Sequence, residues 1–126
     1  MSDVVVIVDD SATIRASIKH TLVQAGYEVH QAFNGQMALD LTKKLTAEDV
    51  RIGLIISDVN MPIMDGLTFI RQLKQDPAFK FTPVLVLTTE NQDSKKQEGK
   101  AAGAAGWLVK PFQPETLVGV VRKFVR

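Results

Sequence analysis

Short apolar runs alternate with longer amphipathic stretches along this chain, and that alternation limits the possible fold more than any other feature. Five of the runs read as strands: Val4 to Val8, Glu28 to Ala32, Leu54 to Ser57, Val84 to Leu87 and Gly106 to Val109. Strands that are joined through helices form a parallel sheet with helices packed on both faces. The sequence therefore predicts a single doubly wound α/β domain made of five βα units.

In the stretches between the runs, apolar residues recur at helical spacing, and residues typical of helix starts and ends flank them. Ser11 is a candidate N-cap for the first helix, and Ala25-Gly26 supplies its stop. The other helices are expected over Gly35 to Leu45, Gly66 to Lys74, Asp93 to Ala102 and from Pro114 onward. In the second helix, Met37, Ala38 and Leu41 are expected on one side.

Composition excludes several classes of protein. With 126 residues, 45% of them hydrophobic, the chain can bury one core without disulfides. The absence of cysteine excludes a disulfide scaffold, a thiolate metal site and a cysteine nucleophile. A net charge of +1 predicts neither nucleic-acid nor membrane binding, and no run approaches the roughly 18 apolar residues of a membrane span. We expect a cytoplasmic protein, and a monomer.

Polar residues follow four of the five predicted strands at the point where each strand ends. They are Asp9 and Asp10 after the first strand, Asp58 after the third, Thr88 after the fourth and Lys110 after the fifth. Ligands of open parallel sheets bind beyond the carboxyl ends of the strands, where the strand order reverses. We therefore expect these side chains to meet at one edge of the sheet.

Each of these residues also has an ordinary structural interpretation. An acidic pair after a strand often caps the next helix, although Ser11 can do so here. Asp58 and Asn60 could be turn formers ahead of a proline. Thr88 could simply end a strand, and Lys110 could be an exposed lysine. Their occurrence together at four of five strand ends favours a common site.

Three carboxylates at one edge repel one another unless a cation lies among them. Oxygen-only ligands suit Mg²⁺, which takes one or two carboxylates and keeps several waters. The remaining carboxylate is then free to attack phosphorus and form an acyl phosphate, a transfer that needs positioning and charge neutralisation. The ammonium of Lys110 and the hydroxyl of Thr88 are groups that would supply that neutralisation.

These residues stand in ordered motifs that resemble a known family. The motifs are Asp9-Asp10, Asp58-Val59-Asn60-Met61-Pro62-Ile63-Met64-Asp65-Gly66, Thr88 after Val84-Leu85-Val86-Leu87, and Gly106-Trp107-Leu108-Val109-Lys110-Pro111-Phe112. Together they resemble the receiver domain of bacterial two-component response regulators over essentially the whole chain, residues 1–126. The resemblance implies a flavodoxin-like sheet with the strand order 2-1-3-4-5.

The resemblance also implies a role for each residue of the acidic edge. Asp58 corresponds to the phosphoacceptor of the family. Mg²⁺ would be held by Asp9, Asp10, Asp58 and the backbone carbonyl of Asn60. Lys110 corresponds to the lysine that pairs with the phosphoryl group.

Four further positions match residues that respond to phosphorylation in the family. Thr88 corresponds to the switch hydroxyl, and Trp107 stands where the family commonly carries Tyr or Phe as a switch aromatic. Asn60 and Glu90 occupy two positions that influence self-dephosphorylation. The ordinary interpretation of Trp107 is a partly buried aromatic at the edge of the sheet.

The resemblance is strongest to single-domain regulators of bacterial chemotaxis, through residues 10–15 and 64–69 and the pairing of Asn60 with Glu90. Because the sequence ends at Arg126, just after the fifth helix, we expect the output to be binding to another protein. The implied partners are a histidine kinase as phosphoryl donor, a target such as the flagellar motor switch, and a phosphatase. Such a protein would catalyse only its own phosphorylation and dephosphorylation.

Three other interpretations compete with this one. A stand-alone receiver in a non-chemotaxis phosphorelay would share most of these motifs. A phosphohydrolase of the haloacid dehalogenase type also uses an aspartate nucleophile with Mg²⁺, but it needs a second aspartate where this chain has Asn60. A nucleotide-binding module would need a glycine-rich phosphate loop, and none follows the first predicted strand.

Overall fold

The computed structural model describes residues 3–125, which form a five-stranded sheet flanked by helices. The strands are β1 (Val4–Val8), β2 (Glu28–Ala32), β3 (Ile52–Ser57), β4 (Val84–Thr88) and β5 (Gly106–Val109). The helices are α1 (Ala12–Gln24), α2 (Gly35–Ala47), α3 (Gly66–Gln75), α4 (Asp93–Ala102) and α5 (Pro114–Phe124), with a short 3-10 helix at Pro77–Phe79.

Neighbouring strands all run parallel in the order β2-β1-β3-β4-β5, which confirms the predicted fold class and strand order. In this sheet Val8 is in register with Ser57, and Thr88 is in register with Val109. The carboxyl ends of four strands therefore align at one edge. This register is what brings the polar residues that follow the strands to a common level.

Both faces of the sheet are buried in hydrophobic cores. The core on one face joins α2 and α3 to β1, β3 and β4, and includes Leu39, Phe69, Ile70, Leu73, Val6 and Ile55. The core on the other face joins α1 and α5 to the same strands, and includes Ile18, Leu22, Leu117, Val121, Ile7 and Ile56. Burial of each such side chain contributes about 1.5–3 kcal/mol. Packing on both faces holds the strand ends in place.

Polar side chains cap three of the five helices that begin at this edge. Ser11 caps α1, Asn34 caps α2 and Asp65 caps α3, each accepting a hydrogen bond from the backbone N–H three residues ahead. The prediction of Ser11 as the N-cap is therefore confirmed. Since Ser11 fills that position, neither Asp9 nor Asp10 is the N-cap of α1.

The buried side of α2 includes Ala38, Leu39, Thr42 and Leu45. Of the three residues expected together on one side, Ala38 is buried, Leu41 is partly buried against the same core, and Met37 is 36% exposed in the first turn. Thr42 was not recognised as a core residue because its hydroxyl is polar and polar side chains are usually exposed. In the structure that hydroxyl donates to the carbonyl of Leu39 at 2.9 Å, so it is buried with its hydrogen bond satisfied.

Some element boundaries also differ. β3 begins two residues earlier than predicted and β4 includes Thr88. The 3-10 helix at Pro77–Phe79 was not predicted, because the Asp76-Pro77 pair that begins it also indicates the end of α3. Asp76 accepts a hydrogen bond from the N–H of Ala78 and so caps the new turn.

None of the helices within residues 3–125 combines the length and the apolar character needed to cross a bilayer.

Candidate functional site

Three aspartates meet at the carboxyl edge of the sheet, as the positions of the strand ends predicted. Asp9 and Asp10 follow β1 and Asp58 follows β3, and each offers a carboxylate oxygen within 4.8 Å of the other two. Asp9 is almost fully buried, Asp58 is largely buried with 11% of its side chain exposed, and Asp10 is exposed. The cluster therefore opens to solvent on the side of Asp10.

Lys110, which follows β5, reaches into this cluster and bridges two of its members. Its Nζ donates to Oδ2 of Asp9 at 2.7 Å and to Oδ2 of Asp58 at 3.0 Å. Burial acts to lower the pKa of Lys110, but hydrogen bonds to Asp9 and Asp58 and their negative charges outweigh it. The pKa of Lys110 is therefore raised, and the ammonium offsets part of the repulsion among the aspartates.

Asp9 is held by contacts on both sides of its carboxylate. Oδ2 accepts from Lys110, and Oδ1 accepts from the backbone N–H of Ser11 at 2.9 Å. Its backbone carbonyl accepts from Nη1 of Arg15 at 2.7 Å. Sequence reasoning did not identify Arg15, because an arginine in the first turn of a helix usually faces solvent.

The position of Asp58 depends on its neighbours along the chain. Its Oδ1 accepts from the N–H of Val59 at 2.6 Å, and its backbone carbonyl accepts from the hydroxyl of Ser57 at 2.8 Å. Gly66 lies so close that a Cβ there would collide with the Asp58 carbonyl oxygen. Gly66 therefore permits the loop between β3 and α3 to close against Asp58, a requirement the sequence analysis did not recognise.

Thr88, Glu90 and Trp107 form a second connected group next to the aspartates. Thr88 is fully buried, and its hydroxyl accepts from the N–H of Glu90 at 3.3 Å. The carbonyl of Glu90 accepts from Nε1 of Trp107 at 2.9 Å. Trp107 is partly buried in β5, an edge strand of the sheet. The backbone N–H of Lys110 donates to the Thr88 carbonyl at 2.7 Å, which links this group to the acidic cluster.

Two predicted site residues do not join the cluster through their side chains. Asn60 is exposed in the loop after β3, and its side chain makes no hydrogen bond within residues 3–125. The hydroxyl of Thr88 makes no hydrogen bond to the three aspartates in the same part of the chain. What joins Thr88 to the cluster is the backbone bond to Lys110.

The donor set fits Mg²⁺. All candidate ligand atoms are hard oxygens, and their mutual separations of up to 4.8 Å are close to the roughly 4.2 Å that opposite ligands span at a Mg–O distance near 2.1 Å. Asp10 is exposed enough to leave room for metal-bound water. The residues present therefore suit a hexacoordinate ion that keeps several waters.

A parallel sheet with an acidic cluster and a lysine at its carboxyl edge is the arrangement of a phosphoacceptor signalling domain. The family model for the response regulator receiver domain matches residues 5–122. The chain therefore belongs to the response regulator receiver family.

One similar curated protein is named as a transcriptional regulator. The transcriptional regulatory protein SrrA of Staphylococcus aureus is 34% identical over all 126 residues of this chain, which cover 49% of that protein. The chain thus spans about half the length of the curated relatives it matches.

Solved structures give close matches over nearly the full chain. The chemotaxis response regulator CheY4 of Vibrio cholerae is 49% identical, with a TM-score of 0.87 over 99% of this chain and 100% of that one. A response regulator protein of Burkholderia multivorans is 43% identical, with a TM-score of 0.79 over 100% of this chain and 97% of that one.

Proposed function

We propose that residues 1–126 form a response regulator receiver domain, which accepts a phosphoryl group on Asp58 from a histidine kinase. The observation that carries the proposal is the bridge from Lys110 to both Asp9 and Asp58, beside the carboxylate of Asp10. A lysine that paired two aspartates for stability alone would have no need of a third carboxylate open to solvent.

The chemistry follows from these contacts. A carboxylate oxygen of Asp58 attacks the phosphorus of a phosphohistidine, the O–P bond forms, and the P–N bond breaks as the imidazole leaves with its electron pair. The carboxylate charge that Lys110 paired is then replaced by charge on the phosphoryl oxygens. The Lys110 ammonium stays within reach of those oxygens because Asp9 continues to hold it at 2.7 Å.

Asp9, Asp10, Asp58 and the backbone carbonyl of Asn60 would hold Mg²⁺, which supplies charge neutralisation on the phosphoryl oxygens when bound. The Asp9 carboxylate has a fixed orientation, since Oδ2 accepts from Lys110 and Oδ1 accepts from the backbone N–H of Ser11. Asp10 is exposed and is free to rotate toward the ion.

Thr88 and Trp107 carry the response in this proposal. A phosphoryl oxygen would be a charged acceptor for the Thr88 hydroxyl, and the shift of Thr88 is passed through Glu90 to the indole N–H of Trp107. In this proposal Asn60 and Glu90, which stand two residues after Asp58 and Thr88, tune the lifetime of the acyl phosphate.

The output we propose is binding to another protein in chemotaxis, supported by the 49% identity to CheY4 of Vibrio cholerae. The donor is then a CheA-like histidine kinase, the target is a protein such as the flagellar motor switch, and a phosphatase ends the signal. This regulator acts as a cytoplasmic monomer without nucleic-acid or membrane binding.

The 34% identity to SrrA favours a second candidate, a receiver of a non-chemotaxis phosphorelay. The two are separated by measuring whether the phosphorylated chain binds a purified flagellar switch protein more tightly than the unmodified chain does. A phosphohydrolase is a third candidate with less support, since exposed Asn60 stands where that chemistry needs an acid. Turnover of p-nitrophenyl phosphate would support it.

The proposal is tested with acetyl phosphate, Mg²⁺ and intact mass spectrometry. Wild type is expected to gain one phosphoryl group, and Asp58→Asn to gain none. Asp65→Asn is the matched control, because Asp65 lies in the same loop but caps α3, and asparagine caps as well as aspartate. Modification of Asp58→Asn at the wild-type rate would show that the phosphoacceptor lies elsewhere.

A further inference from the structure

Arg15 lies near the start of α1 and is bonded to the backbone beside the acidic cluster. Its Nη1 donates to the backbone carbonyl of Asp9 at 2.7 Å. Asp9 is only 2% exposed, and no backbone N–H of residues 3–125 donates to the same carbonyl. Because buried carbonyls in folded proteins are nearly always hydrogen-bonded, this one depends on the arginine for its donor.

The guanidinium of Arg15 is held by a second contact. Its Cζ lies 5.6 Å from the centre of the Phe33 ring, within the range of a cation–π interaction. Phe33 directly follows β2, and the last residue of that strand, Ala32, accepts a hydrogen bond from the N–H of Asp9 at 3.1 Å. The backbone of Asp9 is therefore tied to β2 through its N–H and to α1 through its carbonyl.

The bond from Arg15 also constrains Asp10. The carbonyl of Asp9 and the N–H of Asp10 belong to one planar peptide unit, so a fixed carbonyl sets the direction in which the chain continues. Asp10 offers a carboxylate oxygen to the cluster, yet it is exposed and no hydrogen bond within residues 3–125 holds its side chain. The place of this carboxylate in the cluster therefore depends on the backbone.

We infer that Arg15 is a positioning residue of the metal site: it fixes the peptide between Asp9 and Asp10 and so holds the third carboxylate of the cluster in place for a divalent cation. The inference rests on the Mg²⁺ site of the proposed function. Arg15 does not belong to the ligand set, since it bonds to the backbone of Asp9 and forms no ion pair with a carboxylate of residues 3–125.

The charge of Arg15 and its positioning role affect Mg²⁺ binding in opposite directions. A positive charge near a cation site opposes the binding of Mg²⁺, so removal of the charge alone would tighten binding. Loss of the hydrogen bond to the Asp9 carbonyl would instead let the peptide turn and the Asp10 carboxylate leave the cluster, which weakens binding. Removal of a partner that orients a metal ligand commonly lowers affinity by about 10–100-fold. We expect the loss of position to outweigh the effect of charge.

The test measures the dissociation constant of Mg²⁺ by isothermal titration calorimetry, at about 0.15 M salt and at a temperature where melts in EDTA show each protein to be folded. Arg15→Met is expected to raise the dissociation constant about tenfold. With acetyl phosphate, the Mg²⁺ concentration that gives half the maximal rate is expected to rise by the same factor. The rate at saturating Mg²⁺ is expected to equal that of wild type, because the bound ion then holds the carboxylates together.

Lys19→Met is the matched control. Lys19 is exposed one helical turn further along α1, so this variant removes an equal charge from the same helix without touching the Asp9 carbonyl. Its dissociation constant for Mg²⁺ is expected to equal that of wild type.

An unchanged or smaller dissociation constant for Arg15→Met would overturn the inference, because charge would then be all that Arg15 contributes. An equal increase for Lys19→Met would overturn it as well. Absence of Mg²⁺ binding by wild type would overturn the metal site and the inference with it. A wild type that binds Mg²⁺ but is not modified by acetyl phosphate would instead overturn the proposed phosphorylation of Asp58.

Discussion

Gly99 of α4 lies directly against the indole of Trp107 in β5, where a Cβ on Gly99 would approach Cζ3 to 2.6 Å. The indole cannot easily withdraw, because its N–H is bonded to the carbonyl of Glu90. Gly99 therefore sets how closely α4 approaches the sheet.

We expect Gly99→Ala to destabilise the protein by about 1 kcal/mol, because overpacking outweighs the roughly 1 kcal/mol gain in helix propensity. Urea unfolding measures the free energy, and the fluorescence of Trp107, the only tryptophan, reports the displaced ring. Gly119→Ala in α5 is the control, since no atom lies within 4 Å of a Cβ there. It is expected to stabilise by about 0.5–1 kcal/mol, and a stabilising Gly99→Ala would show that the indole yields.

Gly66→Ala is expected to affect both stability and phosphorylation. The new Cβ collides with the backbone carbonyl of Asp58, and backbone cannot move aside as a side chain can. We expect a loss of about 3 kcal/mol in urea unfolding and a slower reaction with acetyl phosphate at temperatures where the variant is folded. A variant as stable and as reactive as wild type would contradict the close approach of Gly66 to Asp58.

Replacement of Ile63 is expected to stabilise the fold, since this β-branched residue has a φ of +69° in the γ-turn that the N–H of Met64 closes with the carbonyl of Pro62. Ile63→Gly relieves about 1–2 kcal/mol of left-handed backbone strain. The greater freedom of glycine in the unfolded chain costs about 0.5–1 kcal/mol of stability, so the expected net gain in the free energy of unfolding is about 1 kcal/mol. Ile63→Ala keeps an unbranched Cβ, and its stability in urea unfolding is expected to lie between those of wild type and Ile63→Gly. The opposite order, with isoleucine most stable, would show that the turn is not strained.

Removal of a positive charge and removal of a negative charge at the acidic cluster are expected to change thermal stability in opposite directions. In EDTA, Lys110→Met leaves buried Asp9 without its cation and is expected to lower stability by about 1–3 kcal/mol. Asp10→Asn removes an exposed like charge and is expected to raise stability by less than about 1 kcal/mol.

Excess Mg²⁺, at a hundredfold above its dissociation constant, is expected to stabilise wild type by about 2.7 kcal/mol. The increment should be larger for Lys110→Met, which lacks the competing ammonium, and smaller for Asp10→Asn, which lacks a ligand. Thermal melts in EDTA and in Mg²⁺ measure all three proteins. Identical increments would remove the metal site from this account.

The sequence was sufficient to predict the sheet and the edge where the polar residues meet, because strand periodicity and parallel order together place strand ends at one level. It did not predict contacts that depend on three-dimensional distance. The bridge from Lys110 to Asp9 spans most of the chain, and the need for glycine at position 66 arises only where a loop closes against Asp58. Thr42 was missed for a different reason, since a local hydrogen bond hides its hydroxyl in the core.

The most direct test of the central claim is to read the modified residue itself. Wild type is treated with acetyl phosphate and Mg²⁺, and borohydride then reduces an aspartyl phosphate to homoserine. Trypsin releases residues 52–71 as one peptide, since Arg51 and Arg71 flank it with no lysine or arginine between them. This peptide contains both Asp58 and Asp65, and fragmentation distinguishes them. We predict homoserine at position 58 and aspartate at 65; homoserine at 65, or at any aspartate outside this peptide, would contradict the assignment of Asp58.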